Sequence, residues 1–135
     1  MRRRPYVAAG RIEVKRASVD KLPEPSGQFD LVTAIESHYY WPDLVASCRE
    51  IRRVLRDGGT LILVIESYRE GAFGWLTWLA LAPLRAAVLT VEEHRQRLLE
   101  AGFATVHVTT DRRRGWLCAV ATAPVGVTGL DSLIG

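Results

Sequence analysis

Two short, almost wholly apolar segments constrain this chain more than anything else in it. They are residues 29–36, Phe-Asp-Leu-Val-Thr-Ala-Ile-Glu, and residues 60–65, Thr-Leu-Ile-Leu-Val-Ile. Near-continuous apolar runs of this length belong to parallel strands covered on both faces. Between them the pattern changes to a helical period. Asp43 suits the helix N-terminus, where a carboxylate meets unpaired N–H groups and the positive dipole end. Leu44, Cys48, Ile51 and Leu55 fall on one stripe, and Arg49, Arg52, Arg53 and Arg56 take the other faces and the last turns. Gly58-Gly59 predicts the end of the helix. Strand, helix, strand over residues 29–66 is a βαβ unit, which implies a parallel pair and a right-handed crossover.

The remaining segments read less strongly. Residues 12–18, Ile-Glu-Val-Lys-Arg-Ala-Ser, begin with alternation and predict a short strand, and residues 21–27, with two Pro and a Gly, predict a loop. Thr90-Val-Glu-Glu93 predicts a capping box that opens a helix to about Ala101. Val91, His94, Leu98 and Leu99 form its apolar side, Gly102 suits the C′ position, and Phe103 packs back. Residues 104–110 and 116–122 predict an antiparallel hairpin around the Asp111–Gly115 turn. Residues 71–89 are apolar, carry Phe73, Trp75 and Trp78, and are divided by Pro83 into two expected short helices. The longest uncharged stretch there is too short to span a bilayer, so it reads as a buried or lid-like segment, with membrane-surface contact as the competing reading. Residues 124–135 read as a peripheral tail.

Composition sets the outer bounds. The 135 residues are 48% hydrophobic and 24% charged, which fits one globular domain and excludes general disorder. Cys48 and Cys118 are the only cysteines, which excludes a disulfide scaffold and predicts a reducing, cytoplasmic setting. Net charge is +3 and rests on Arg, an excess that matches genomic codon bias better than a nucleic-acid footprint. Arg2-Arg3-Arg4 and Arg112-Arg113-Arg114 have no interleaved aromatics, so no nucleic-acid partner is expected. The basic N-terminus lacks a following apolar region, so no export signal is expected. His38, His94 and His107 have no ligand-like spacing, so no metal is expected.

The order of pieces resembles a known family. It comprises the predicted strand at 12–18, Asp20-Lys-Leu-Pro23, Phe29-Asp-Leu-Val32, a helix, Val54-Leu-Arg-Asp-Gly-Gly-Thr-Leu61, Thr90-x-Glu-Glu93, Leu99-Glu-Ala-Gly-Phe103 and a closing hairpin. Together these resemble the C-terminal two-thirds of a class I S-adenosylmethionine-dependent methyltransferase of the small-molecule, ubiquinone/menaquinone-biosynthesis-like type, over about residues 10–124. The resemblance implies an α/β fold: part of a Rossmann-like sheet of order 3-2-1-4-5-7-6, holding strands 3 to 7 with the last hairpin antiparallel and helices on both faces. Residues 1–124 would then be the truncated domain, with 71–89 as its lid-like segment and 125–135 as its tail.

The resemblance also implies a site beyond the carboxyl ends of the strands. Ser18, Val19 and Asp20 match the adenine-contact position after strand 3, and they equally fit a plain polar strand end. Glu36 and Ser37 would face S-adenosylmethionine at the end of strand 4. His38 beside them is either a loop residue or a base for an acceptor hydroxyl. Tyr39, Tyr40 and Trp41, with Trp75 and Trp78, would line an apolar acceptor pocket, although core or capping roles suit at least one of the first three.

The family's glycine-rich loop after strand 1 and its ribose-binding acid after strand 2 have no counterpart here. The residues before Ile12 hold one glycine, Gly10, and no Asp or Glu, and read as the end of the helix that precedes strand 3. The cofactor site is therefore expected to be incomplete and the strand 4 edge open. Three outcomes would satisfy that edge: strand 3 sliding beside strand 4, a homodimer, or a separate completing polypeptide. The expected function is methyl transfer to a small-molecule acceptor. The alternative is a non-catalytic interaction module, either a pseudoenzyme or half of a split enzyme.

Overall fold

A computed structural model of the chain describes residues 5–35, 41, 43–66, 76, 79 and 90–126. Chain order is α1 (Pro5–Ala8), β1 (Phe29–Ile35), α2 (Leu44–Val54), β2 (Leu55–Ile65), α3 (Val91–Glu100), β3 (Thr105–Asp111) and β4 (Trp116–Thr122). The strands form one four-stranded sheet of order β1-β2-β4-β3. β1 runs parallel to β2, with Val32 beside Leu61 and Ala34 beside Leu63. β4 lies antiparallel to both β2 and β3. This is the arrangement expected for strands 4, 5, 7 and 6, and the α/β, Rossmann-like fold class stands.

The helices form where local chemistry favours them. The Asp43 carboxylate accepts the Ala46 N–H at 3.0 Å and opens α2. The Thr90 hydroxyl accepts the Glu93 N–H at 3.1 Å and opens α3. α3 closes in a Schellman motif. Phe103 N–H donates to Leu98 C=O, Gly102 N–H donates to Leu99 C=O, and Gly102 sits at φ +101°. Of the predicted stripe along α2, Cys48 and Ile51 are buried and Leu44 is half-buried, while Leu55 falls in β2; Ser47 and Val54 are buried beside them. On α3, His94 and Leu98 are buried, but Leu99 is exposed and does not belong to the apolar side.

The strands divide their side chains between two unlike faces. Leu61, Leu63, Ile65, Leu117, Ala119 and Ala121 point to one face and are almost fully buried. They pack with Cys48 and Ile51 of α2, Leu98 of α3, and Phe103 in a single core. The opposite face carries the intervening residues. Leu31 and Ile35 on β1 are 52% and 64% exposed there, Trp116 on β4 is 44% exposed, and Ile62, Val64 and Val120 are half-buried. Among the described residues, no helix is packed on this second face.

Three expectations are corrected. Residues 12–18 form no strand, and their one bridge is the Ser18–Lys21 turn. Ile12 and Val14 stay exposed. A strand needs a neighbour, and the two strands that would separate this segment from β1 in the expected order have no counterpart in the 135 residues. The segment does not slide in beside β1 either, since the pairing partner of β1 among the described residues is β2. The third correction concerns α2, which ends at Val54 rather than at Gly58-Gly59. Gly27 and Gln28 N–H groups take the carbonyls of Arg53 and Val54 at 2.8 Å, and Leu55 turns into β2. The two glycines serve instead an irregularity opposite Phe29–Leu31. Gly58 has φ +74°, and a Cβ on Gly59 would lie 2.8 Å from the Arg56 carbonyl oxygen. The expected short helices around Pro83 lie outside the described residues, apart from Leu76 and Leu79, which are helical and exposed.

Leu63→Ala is expected to lower the unfolding free energy by roughly 2–5 kcal/mol, because it opens a cavity in the buried face. Val14→Ser, in the unpaired segment, should change it by less than about 0.5 kcal/mol. Urea denaturation of both variants checks the pair.

Candidate functional site

β1 ends at Ile35 and α2 is capped by Asp43, and ligands of open parallel sheets bind beyond such strand ends. Of the predicted site residues near this end, Trp41 is described. It is half-buried and packs against the core, the packing alternative for that cluster. Glu36, Ser37, His38, Tyr39, Tyr40, Trp75 and Trp78 lie outside the described residues.

The predicted adenine-contact residues form one turn. Lys21 N–H donates to the Ser18 carbonyl at 3.1 Å. The Ser18 hydroxyl donates to the Asp20 carboxylate. Val19 is half-buried against the core, whereas Ser18 and Asp20 are exposed. With its proton directed at Asp20, the Ser18 oxygen keeps its lone pairs, and the carboxylate beside it only accepts. The turn therefore offers acceptors next to an apolar side chain, which suits an exocyclic amino group on a flat ring.

Sequence reasoning missed what holds the loop that follows this turn. Glu50 and Arg53, one turn apart on α2, bridge by two contacts of 2.7 and 2.9 Å. Glu50 also accepts the Leu22 N–H at 2.9 Å. Arg53 donates to the carbonyls of Leu22 and Glu24, at 3.1 and 2.9 Å, and to Ser26 at 3.3 Å. One planar, five-donor guanidinium thus fastens the whole 22–26 loop to the helix. Lys15 pairs with Glu24 at 3.0 Å and draws the extended segment onto the same loop. The signal in the sequence was the i,i+3 Glu–Arg pair. The Arg53 guanidinium, followed by the Leu22 N–H, holds the Glu50 carboxyl below its ordinary value.

Other chemistry-bearing groups have structural work. His94 is buried and its Nδ1 lies 2.7 Å from the Thr90 carbonyl oxygen, which only accepts, so Nδ1 carries a proton. Burial pushes the Cys48 thiol up to about 12. Among the described residues no group of three or more His, Cys, Asp or Glu could hold a metal ion, and no helix is long and apolar enough to cross a membrane. A cavity of about 350 Å³ between Arg52, Arg53 and Asp57 opens at the amino ends of β1 and β2, away from the expected cofactor end.

A family model described as a methyltransferase domain matches residues 2–63, which take in α1, the turn at Ser18, β1, α2 and most of β2. Over these residues the chain is similar to methyltransferase domains. An uncharacterized chloroplastic methyltransferase of Arabidopsis thaliana is 45% identical over 51 residues, 38% of this chain and 14% of its own length. The 27-O-demethylrifamycin SV methyltransferase of Amycolatopsis mediterranei is 42% identical over 53 residues, 39% of this chain and 20% of its own. The crystal structure of an S-adenosylmethionine-dependent methyltransferase from Thermotoga maritima superposes with a TM-score of 0.70 at 19% identity, covering 86% of this chain and 67% of that one. The matches to the two curated relatives thus span a fifth or less of their lengths.

Glu50→Gln should flatten the chain's loss of thermal stability on the acid side. A carboxyl whose folded pKa is depressed contributes stability that is complete above its unfolded value, ordinarily near 4.5, and is lost as pH falls through the folded value. Melting curves between neutral pH and pH 3 compare the two proteins, and parallel curves would count against Glu50. A thiol reagent at neutral pH should label half-exposed Cys118 well before buried Cys48, as mass spectrometry of timed samples would show.

Proposed function

We propose that this chain supplies the adenine edge and the acceptor side of a site for methyl transfer from S-adenosylmethionine to a small molecule. The observation that carries this reading is the Ser18–Val19–Asp20 turn, built from acceptors and followed by the loop that Arg53 fastens to α2. The Amycolatopsis relative, named for its action on 27-O-demethylrifamycin SV, supports a small-molecule acceptor. Such reactions depend on aligning donor and acceptor for in-line attack, so positioning carries most of the catalysis. Glu36 and Ser37 would border the cofactor and His38 the acceptor hydroxyl. Tyr39, Tyr40, Trp75 and Trp78 would enclose the apolar part of the acceptor. When bound, the cofactor would supply an electrophilic methyl group. The chain's contribution is to hold the adenine by its amino edge and keep water from the acceptor. A reducing, cytoplasmic setting suits the two free thiols.

A second reading is favoured by the second face of the sheet, on which no helix is packed among the described residues. In it the chain is a non-catalytic interaction module.

Calorimetric titration with S-adenosylhomocysteine separates the two. Micromolar binding, about −8 kcal/mol, is expected for the first reading. Asp20→Asn should then weaken it roughly tenfold, the cost of about one charge-assisted hydrogen bond. Absence of binding up to millimolar ligand would overturn it in favour of the second.

A further inference from the structure

The turn between β3 and β4 carries three consecutive arginines, Arg112, Arg113 and Arg114, and all of them are exposed. Its backbone is held by its own acid. The Asp111 carboxylate accepts the N–H groups of Arg113 and Arg114 at 3.1 and 3.2 Å. Gly115 closes the turn at φ +71°, and a Cβ there would lie 3.0 Å from the Glu66 carbonyl oxygen. The arginines therefore project from a backbone seated on the end of β2.

Their side chains have unlike surroundings. Arg114 lies 3.8 Å from the Asp111 carboxylate and 5.3 Å from the centre of the Trp116 ring. Arg112 and Arg113 have no partner for their guanidinium groups among the described residues. Elsewhere the chain gives such groups a carboxylate: Arg53 has Glu50, Arg56 has Asp30, and Arg97 has Glu100. Asp111 is the one acid of the turn, and its two oxygens already serve the backbone and Arg114. Two adjacent cations without a counter-charge attract an anion to the space between them.

The turn also stands at a useful place. Ile35, Val64, Cys118 and Thr109 form one row across the sheet. The carboxyl ends of β1 and β2 and the β3–β4 turn thus share one end of the sheet, the end where open α/β sheets bind ligands. At about 4.8 Å per strand, the turn is centred about 7 Å from the line of β2 and about 12 Å from that of β1. Planar guanidinium groups match carboxylate and phosphate oxygens two at a time.

We propose that Arg112 and Arg113 form an anion-binding site that takes the carboxylate or phosphate group of a small-molecule methyl acceptor. The acceptor role rests on the methyl-transfer reading, and the anion site rests on the turn itself.

Sodium pyrophosphate and sodium citrate are titrated separately into the isotope-labelled whole chain at fixed ionic strength, with NMR as the readout. Saturable shifts confined to the amides of residues 111–116 are expected, and the tighter probe tells phosphate from carboxylate. Replacing both arginines, Arg112→Gln with Arg113→Gln, should weaken binding about tenfold, because charge-assisted contacts are lost. Arg113→Lys keeps the charge without the fork and should fall between. Arg16 is likewise exposed and without an ion pair among the described residues, and Arg16→Gln should leave binding unchanged. Thermal melts confirm that every variant is folded. Shifts that never saturate, shifts spread over exposed arginines in general, a double variant that binds like the wild type, or an equal loss in Arg16→Gln would each overturn the anion site. The titration contains no cofactor, so its failure is distinct from that of the methyl-transfer reading. Saturable anion binding in a chain that does not bind S-adenosylhomocysteine would overturn the acceptor role alone.

Discussion

Everything in this molecule is hung on β2. It receives a parallel neighbour on one side and an antiparallel one on the other, and its buried residues Leu61, Leu63 and Ile65 are the floor on which α2 and α3 rest. Apolar burial is the main favourable term in folding, and here it is concentrated on one side of one sheet. The two helices reach that floor from different parts of the chain. Each is started by a side-chain cap and stopped by backbone groups outside itself, so their ends are fixed as firmly as their faces.

The βαβ unit and the closing hairpin were legible because their signals are local. Periodicity separates strand from helix, and Asp43 and Thr90 announce helix starts through hydrogen bonds made within one turn. What failed was whatever depended on a partner. Residues 12–18 have a strand's alternation, yet alternation describes a side-chain pattern and supplies no neighbour to pair with. Gly58-Gly59 looked like a helix stop because glycine is common there, but their backbone geometry serves a kink between β1 and β2. The apolar runs of β1 and β2 implied two covered faces, while the described residues cover one.

The candidate site was legible in part for the same reason. Ser18 and Asp20 stood out through the family resemblance, and the structure places them in one turn. The groups that hold the loop after it, Glu50 and Arg53, sit almost thirty residues away and declare themselves as a helix surface pair. A loop anchored by a guanidinium has its geometry set by α2 rather than by the sheet. The core thus determines the fold, and the ion pair carries that order outward to the loop.

The pairing of β2 with β4 joins Thr60 to Thr122 and closes a long stretch of chain. The entropic cost of such a closure rises slowly with length, by about 0.6 kcal/mol per doubling. By chain closure alone, a change in the length of the connection between β2 and β4 therefore costs the sheet little. The pairing at the centre of the fold is set by which side chains meet in register and is nearly indifferent to how much chain lies between them.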